Sequence, residues 1–508
     1  MSDAAPQNKS WLFATSFAAI TATSFCFILR ALVVDDWGVQ FALSETQKGE
    51  LLGVGLWPFA ITIVLLSLVI DRIGFKATYW FAAICHVAGL GILLTAAGYW
   101  GLYIGTFIMA LGNGAVEAAA NPLIATLYTD NKPRWLNRVH AAWPGGMIIG
   151  GLLALALGAG TDWRLKVALM ILPILVYAGM LLRSRFPVSE RVASGVPYRA
   201  MLSEAGYLSA LVIIALMMLE VGRVAALSPM AIVAIIAALT VAYAFYARSA
   251  GRPLYIIFVL LMIPLATTEL STDSWISSLM EPEMRGLGLQ AGWVLIYTSA
   301  IVFVIRIFAG SIIGVLKPLG TLAAASATAA LGLFLLSGAT GPALLAAATL
   351  YGIGKSFFWG TSLAVVGDQF PRGGAVTINI VAGSGMLAAG IVGSVLLGAA
   401  QDYATTQSLR QHDTSTGTTL SSQYLSERKA SIFGGYLALD DAKVATAPPV
   451  DRAVLNDVQT QSKKTALQDV AILPVSMLLT YLLLILFFRR RGGYRPVTLT
   501  AETTRAGA

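Results

Sequence analysis

Long apolar segments recur along the whole chain, and they constrain its fold more than any other feature. Fourteen segments of about 20 residues or more contain few charged side chains, and a helix of about 20 residues crosses a hydrocarbon core ~30 Å thick. They lie near residues 12–34, 47–70, 77–97, 100–127, 139–159, 165–183, 206–226, 228–247, 254–279, 287–315, 319–338, 342–367, 373–400 and 468–489. The sequence therefore predicts an all-α polytopic membrane protein.

The low charge content supports this prediction. Asp, Glu, Lys and Arg make up only 12% of the 508 residues, against about 25% in ordinary globular proteins. Too few charged residues are present to cover the surface of a soluble protein of this length. The first apolar segment is longer than the core of a signal peptide and is followed at once by another span, so we expect it to be retained.

The basic residues fall in alternate loops, and this pattern predicts the orientation of the chain. With the N-terminus inside, the inside loops and tail hold Arg72, Lys76, Lys132, Arg134, Arg138, Arg183, Arg185, Arg191, Arg199, Arg248, Arg252, Arg489, Arg490, Arg491 and Arg495. Such an excess of Lys and Arg marks cytoplasmic loops. We expect a multi-pass protein of the cell (inner or plasma) membrane with both termini cytoplasmic. The net charge of +8 is then an orientation signal, and no nucleic-acid partner is expected.

A weak internal repeat divides the chain into two halves, as is common in transporters. Glycines recur at one constant offset: Gly112 with Gly352, Gly114 with Gly354, and Gly145 with Gly385. Setting aside residues 206–247 as an inserted helix pair leaves six spans in each half. The predicted divisions are an N-terminal six-helix bundle (1–183), a cytoplasmic linker with the extra helix pair (184–253), helices of the C-terminal bundle (254–400), an extracytoplasmic polar insertion (401–467), a last transmembrane helix (468–489) and a cytoplasmic tail (490–508). The insertion fits a small helical cap and a disordered loop equally well.

The loop after the second span carries a recognisable motif. Residues 67–76 read SLVIDRIGFK. This segment resembles the G-x-x-x-D-R-x-G-R-K signature of the major facilitator superfamily, from which Ser67 and Phe75 depart. The resemblance implies the major facilitator fold, with two six-helix bundles and here an additional helix pair between them. It also implies a secondary transporter that works by alternating access.

The same resemblance implies a latch on the cytoplasmic side. The residues we assign to this gate are Asp71, Arg72, Gly74, Asp130 and Arg306. Asp71 is expected to face the positively polarised N-terminus of the 373–400 helix. Arg72 is expected to pair with Asp130, and Arg306 lies close to the inner end of its span. A solvated turn that merely orients the protein is the alternative reading of the motif.

A more specific likeness lies in the fourth and fifth spans. Residues 117–122 read EAAANP and residues 136–140 read LNRVH. These segments resemble E-T-A-A-N-P and L-N-x-x-Q of the fucose:proton symporter family, with His140 in place of the glutamine. The resemblance implies sugar uptake coupled to protons, with Glu117 near the substrate. The family also carries an acid late in its first helix, whereas residues 27–32 here contain Arg30 and no acid.

Charged residues within the spans need a reason, because each costs at least ~2.5–3.5 kcal/mol near the bilayer centre. Glu117 has no Lys or Arg within one helical turn, so we expect it to face the bundle interior. Glu269 and Asp273 are four residues apart, which places both carboxylates on one helical face. Two carboxylates so close in a low dielectric suit reversible binding of a proton or cation. Lys355 is predicted to converge with Glu117 on one cavity. A structural ion pair is the alternative for Glu117 and Lys355, extension to the membrane surface is a further one for Lys355, and a solvated position near the outer end is the alternative for Asp273.

Further residues complete the predicted binding site. Asn121 and His140 belong to the segments that resemble the fucose:proton symporter family. Trp143 and Trp359 are candidates for an aromatic platform, because sugars present apolar C–H faces. Arg30 is a candidate for binding an acidic group of the solute. The alternative is that its long side chain snorkels to the membrane surface. Helix packing is the alternative for both tryptophans.

Several classes of function lack their sequence features. The chain has no P-loop lysine motif, and its three histidines and two cysteines show no metal-ligand spacing. We therefore expect no cofactor, no metal and no enzymatic activity, with a proton or other ion gradient as the energy source. The expected partners are a small polar solute, a sugar first of all, and membrane lipid, with no obligatory protein partner. A proton-coupled exporter of drugs or metabolites is the main alternative, and a membrane receptor or enzyme is a second one.

Overall fold

A computed structural model describes residues 8–499 except 42, 44–49, 159, 274–275, 277–279, 281–282, 285, 287, 290–292, 427–428, 432–433, 441–442 and 445. In the described part of the chain, eleven helical stretches are long and apolar enough to cross a membrane. The prediction of an all-α polytopic membrane protein is confirmed. A single hairpin of two three-residue strands is the exception among the described elements.

The described helices are given in chain order. They are α1 (Lys9–Phe41), α2 (Trp57–Leu94), α3 (Tyr99–Leu127), α4 (Lys132–His140), α5 (Ala142–Ala156), α6 (Trp163–Ala168), α7 (Ile171–Arg183), α8 (Glu190–Ala193), α9 (Tyr198–Val224), α10 (Pro229–Ala247), α11 (Pro253–Ala266), α12 (Trp293–Gly338), α13 (Pro342–Lys355), α14 (Phe358–Gln369), α15 (Gly374–Leu387), α16 (Ser394–Thr416), α17 (Leu420–Tyr424), α18 (Pro449–Val470) and α19 (Ile472–Arg490). Two π-helical segments, Thr267–Ser271 and Ala388–Gly393, continue α11 and α15.

Two of these helices are too long for one membrane crossing. The stretches Glu50–Leu94 and Trp293–Gly338 hold 45 and 46 residues, about twice what a bilayer needs. Each contains a sharp break, at Gly74 (φ +83°) in α2 and at Lys317 (φ +62°) in α12. Each is therefore two helices joined end to end, one break in each half of the chain. The number of fourteen crossings stays a prediction.

Both ends of the helical region lie on the same face of the bundle. Near the N-terminus, Trp11 donates to Ser184, which directly follows α7 (3.1 Å). Near the C-terminus, Tyr494 donates to Asp368 at the end of α14 (3.0 Å). Lys132 joins these regions, because its ammonium contacts the Gly367 carbonyl at 3.1 Å. We call this side the terminal face; that it is cytoplasmic stays a prediction.

The predicted extra helix pair forms a peripheral hairpin of α9 and α10. Only 6% of the apolar stretch of α10 is buried, so nearly all of this helix faces the surroundings of the bundle. In contrast, α9 packs where the two halves meet. Ile213 of α9 and Val64 of α2 both lie against Gly383 of α15.

The polar insertion is a folded cap at the far end of the bundle. It comprises the outer part of α16, then α17, the antiparallel strands β1 (Lys429–Ser431) and β2 (Gly434–Tyr436), and α18. Its own small core contains Leu409, Leu420, Tyr424, Leu425, Ala447, Leu455 and Val458. Lys464 of α18 forms a salt bridge of 2.9 Å with Glu283, which ties the cap to the C-terminal half. Of the two alternatives for this insertion, the structure shows the cap.

Candidate functional site

A hydrogen-bonded group of three side chains lies inside the N-terminal half. Glu117 and Asn121 share one face of α3, and Asn121 Nδ2 donates to Glu117 Oε2 at 2.9 Å. His140 ends α4, and its Nε2 lies 2.8 Å from Asn121 Oδ1. Its Nδ1 lies 3.9 Å from Glu117 Oε1. All three side chains are buried. Glu117 is therefore held by an amide and lies near an imidazole, and no Lys or Arg of the described residues forms a salt bridge with it.

Arg306 of α12 joins this group to the C-terminal half. Its Nη1 donates to the backbone carbonyl of His140 at 3.1 Å, and its Nη2 donates to Glu269 Oε1 at 2.5 Å. Its Nε donates to the Ser356 carbonyl at 3.0 Å. Arg306 is 2% exposed, and each of its three nitrogens donates to a protein acceptor. A continuous polar network thus runs from Glu117 to Glu269 across the boundary between the halves.

A second ion pair lies beside this network. Asp273 pairs with Lys355 at the end of α13, and the Lys355 ammonium also stands 4.8 Å from the centre of the Tyr351 ring. The π-helical turn before Asp273 leaves a carbonyl available, and Tyr351 donates to Thr268 O at 2.8 Å. Glu269 and Asp273 were predicted to act as a pair of like charges. Each instead has its own cation.

A proline explains one of the contacts between the halves. Pro122 has no N–H, so within α3 it cannot bond to the carbonyl of Ala118 four residues earlier. Asn379 of α15 reaches across and donates to that carbonyl at 2.9 Å. A second amide also joins the halves: Asn137 of the N-terminal half donates to the hydroxyl of Thr361 in α14 at 2.9 Å. The Asn-Pro segment thus creates a specific attachment point for the opposite half.

A narrow cavity lies between the halves, next to the network. Its lining residues are Phe27, Leu56, Trp143, Met147, Leu270, Asp273, Met386 and Ala389. The two rings on the N-terminal side, Phe27 and Trp143, are 5.7 Å apart, and Phe59 stands 6.5 Å from Trp143. The wall is therefore mainly apolar and aromatic, with Asp273 as its charged member.

The predicted arrangement around one cavity is corrected in part. Trp143 lines the cavity as expected, whereas Glu117, Asn121, His140, Lys355, Trp359 and Arg30 are not among its lining residues. Lys355 pairs with Asp273, so the predicted meeting of Glu117 and Lys355 is replaced by two separate groups. Trp359 is buried, with its ring against Gly385. The polar groups of Glu117, Asn121, His140 and Lys355 lie outside the lining and are bound to protein partners instead.

Arg30 of α1 lies beside the cavity, one helical turn from Phe27. Its side chain is 4% exposed, and its Nε has no hydrogen-bond partner. The guanidinium covers Gly55, where an added Cβ would lie 1.8 Å from Nη1. Gly55 precedes the cavity residue Leu56. Among the described residues, no acidic side chain forms an ion pair with Arg30.

The latch on the terminal face differs from the predicted one. Asp71 accepts hydrogen bonds from Arg191 Nε and from Ser189, both at 2.7 Å. Arg191 in turn packs against Gly374, the first residue of α15. The carboxylate therefore reaches the expected helix N-terminus through an arginine, which comes from the linker between the halves.

The prediction for Arg72 is wrong. Its guanidinium stands 5.2 Å from the centre of the Tyr198 ring, and Asp130 is exposed on the turn after α3. Gly74, two residues further on, is the break in α2, so its place in the motif has a backbone reason. Arg306 lies inside the bundle and contacts His140, not at the terminal face as its predicted gating role required.

Three residues of these networks escaped the sequence-based prediction. Arg191 and Lys132 were counted only as orientation charges, although Lys132 bridges Glu190 at 3.0 Å and the Gly367 carbonyl. Asn379 was assigned no role. A signal for Asn379 was present, because the proline at 122 requires a donor for the carbonyl it leaves free.

Comparisons with known proteins identify the family and the fold. The family described as Major Facilitator Superfamily matches residues 11–394. The structure of the E. coli fucose:proton symporter FucP has a TM-score of 0.54 at 16% identity, covering 92% of this chain and 99% of that one. The E. coli xylose transporter XylE in a partially occluded inward-open conformation has a TM-score of 0.53 at 15% identity, covering 76% and 91%.

A third structure shows how widely this fold is shared. A bacterial homologue of the human drug peptide transporters PepT1 and PepT2 has a TM-score of 0.56 at 13% identity, covering 95% of this chain and 99% of that one. No curated protein sequence matches this chain. Likenesses at such low identity establish the fold and leave the solute open. The family match spans most of the chain, and the chain belongs to the Major Facilitator Superfamily.

Proposed function

We propose that this protein is a secondary active transporter that takes up a sugar or a similar small polar solute together with protons. Its two halves would move against each other around the central cavity and expose it to each side in turn. The observation that carries the proposal is the buried network that links Glu117 to Glu269 through Asn121, His140 and Arg306. It places two carboxyl groups on a path that crosses the boundary between the halves.

Arg306 is the element that connects proton binding to the movement. Arginine stays protonated in proteins, so its partners change while its own charge does not. An ionised Glu269 holds the guanidinium by a charge-assisted hydrogen bond, which a protonated Glu269 does not provide. The same guanidinium holds the His140 carbonyl in the other half. A proton on Glu269 therefore acts directly on a contact between the halves.

The cavity has features that suit a sugar. Phe27 and Trp143 provide an aromatic surface for apolar C–H faces, and Asp273 provides an acceptor for hydroxyl groups. The solved structures of a fucose:proton symporter and of a proton:xylose symporter have the same fold. These likenesses support the proposal that solute and proton move together in this chain too.

One observation favours a second candidate, a proton-coupled exporter. Seven of the eight residues that line the cavity are apolar or aromatic, a wall that also suits an amphipathic drug or metabolite. The charged network is then used to exchange a proton for the exported compound. The two candidates differ in the direction of net solute movement at a given proton gradient.

The test is uptake into proteoliposomes with and without an imposed inward proton gradient. The panel contains radiolabelled neutral sugars, sugar acids and small organic anions, and a dye-efflux assay runs in parallel. For the importer, the gradient stimulates uptake of at least one solute, and Glu117→Gln and Glu269→Gln both abolish the stimulation. Glu220→Gln is the matched control, because Glu220 is a membrane carboxylate that pairs with Arg223 on the peripheral hairpin.

Each result has a definite meaning. Gradient-driven uptake that survives both network variants removes the network from the mechanism. Dye efflux driven by the gradient, without uptake of any panel member, replaces the importer by the exporter. Loss of uptake in Glu220→Gln as well indicates that the variants damage folding, and unfolding temperatures of the purified proteins identify this case.

A further inference from the structure

We propose that Arg30 binds a carboxylate of the transported solute, so that this solute is a small organic acid with one negative charge. The inference rests on the proposed transport function and specifies its substrate class. Within that function the first expectation is a sugar acid. An acid with an aromatic or aliphatic body has the same recognition chemistry, and the experiment below separates the two.

Arg30 is not itself a lining residue of the cavity, but its guanidinium lies next to residues that are. Phe27 lies one helical turn away on α1 and lines the cavity, and so does Leu56. The guanidinium lies directly over Gly55, the neighbour of Leu56 in the chain. Only a glycine leaves this space, since a Cβ at position 55 would overlap Nη1. The cation is therefore seated between two cavity residues by close backbone packing.

The guanidinium is buried without the partners that a buried cation needs. Arg30 is 4% exposed, its Nε makes no hydrogen bond, and no ion pair joins it to an acid in the part of the chain that the structure describes. A buried charge without a partner is strongly unfavourable. A carboxylate offers two oxygens that match the guanidinium fork in a bidentate pair. An acidic solute supplies what the protein itself leaves out.

The neighbouring charges explain why one negative charge suffices. Lys355 is neutralised by Asp273, and Arg306 by Glu269. Arg30 is then the cation near the cavity that remains without an acid among the described residues. A carboxylate carries a single charge and matches this count, whereas a phosphate ester carries nearly two at neutral pH and would need a second cation.

The rest of the cavity contacts the body of the acid. The rings of Phe27, Phe59 and Trp143 form one cluster on the same half as Arg30. A sugar ring places its C–H face on such a cluster and directs hydroxyl groups to Asp273. An aromatic acid uses the same cluster but has no hydroxyl groups for Asp273. The two kinds of acid share the contact with Arg30 and differ at Asp273.

The test compares acids with neutral compounds of the same shape. The pairs are D-glucuronate with D-glucose, D-galacturonate with D-galactose, and benzoate with benzyl alcohol. Binding is measured as ligand-induced stabilisation of the purified full-length protein, and transport as uptake into proteoliposomes. We expect at least one acid to stabilise the protein and to be taken up at a concentration lower by a factor of about ten or more than its neutral partner requires. This preference disappears in Arg30→Gln and persists in part in Arg30→Lys.

Two controls separate binding from a structural role. Lys166 lies in the same half and pairs with Asp36 at 3.4 Å; Lys166→Gln keeps the preference for the acid. Without ligand, Arg30→Gln unfolds at the same temperature as the wild type or higher, because the substitution removes an unpaired charge. A lower unfolding temperature and an unchanged acid preference in Arg30→Gln would together show that Arg30 serves packing alone.

The outcomes also separate this inference from the proposed function. Gradient-driven uptake of a neutral sugar, with no preference for any acid, overturns the inference and leaves the symporter standing. Stabilisation by an acid that depends on Arg30, without gradient-driven uptake of any solute, supports the inference and removes the symporter. The inference is also overturned if none of the acids stabilises the wild type more than it stabilises Arg30→Gln. Preference for benzoate over both sugar acids makes the substrate an apolar acid.

Discussion

Two buried carboxyl groups, one in each half, have very different surroundings. Glu117 is held by the amide of Asn121 and lies 3.9 Å from the His140 ring. Glu269 is paired with Arg306 at 2.5 Å. Both are buried in the same network, but only the second has a permanent positive charge as its partner. We therefore expect that neutralising the two carboxyl groups changes the free energy of unfolding by different amounts, because only Glu269 has a charged partner that would be left unpaired.

The two halves also differ in how they make the same break in a long helix. Gly74 breaks α2 at φ +83° and ψ 160°, and Lys317 breaks α12 at φ +62° and ψ 160°. This backbone region is nearly exclusive to glycine, and other residues there cost about 1–3 kcal/mol. Pro318 favours the extended ψ of Lys317. One half uses the residue that suits the break, and the other half accepts strain.

The largest expected effect is on the ion pair of the C-terminal half. Glu269→Gln leaves Arg306 buried without its charge partner, and breaking a buried pair in this way costs about 3–5 kcal/mol. We expect the free energy of unfolding in mixed micelles to fall by this amount. The double variant Glu269→Gln/Arg306→Gln should recover much of the loss, because no unpaired charge remains. A single variant as stable as the wild type would show that the pair is not ionised.

The next effect concerns the break in the N-terminal half. Gly74→Ala meets no atom within 4 Å of the new Cβ, so its cost is the backbone strain of about 1–3 kcal/mol. Gly91→Ala on the same helix is the matched control, because its Cβ also meets nothing and its φ is not positive. Denaturant titration should show a loss for Gly74→Ala and no loss for Gly91→Ala. Equal stability of both variants would remove the assigned reason for this glycine in the motif.

The corresponding change in the other half has the opposite sign. Lys317→Gly relieves the strained backbone but makes the unfolded chain more flexible, so we expect a net gain of about 1 kcal/mol. The same titration measures it. A loss of stability would indicate that the Lys317 side chain makes contacts that outweigh the strain, and then the comparison of the two breaks no longer holds.

The sequence predicts the helical architecture well, but it predicts poorly which side chain each charged residue pairs with. Apolar runs identify the helices, and the motif around Asp71 identifies the superfamily, because both are local patterns. The partner of each charge depends on distant packing. Asp273 pairs with Lys355, which lies 82 residues away, and the latch on Asp71 uses Arg191, from a linker that shows no periodic pattern.

The two errors at the gate, for Arg306 and for Arg72, each have a physical cause. Arg306 was assigned to the inner end of its span, but about three helical turns separate it from the break at Lys317 that ends this span. Arg72 was expected to pair with an acid at the inner end, Asp130, whereas its guanidinium lies over the ring of Tyr198, the first residue of α9. Aromatic partners of this kind leave no signal in the charge pattern. The sequence does indicate that a side chain must donate to the Ala118 carbonyl, because Pro122 has no N–H, and in the structure this donor is Asn379.

The smallest expected change in stability is also the sharpest test of the comparison. In Glu117→Gln the new side-chain carbonyl still accepts from Asn121, and no cation in contact loses its partner. We expect a change below about 1 kcal/mol, the net value of one neutral hydrogen bond, although gradient-driven uptake is lost. The free energies of unfolding of Glu117→Gln and Glu269→Gln, measured side by side, check this difference. If both fall by about 3 kcal/mol or more, then His140 is the charged partner of Glu117, and the two carboxyl groups are equivalent after all.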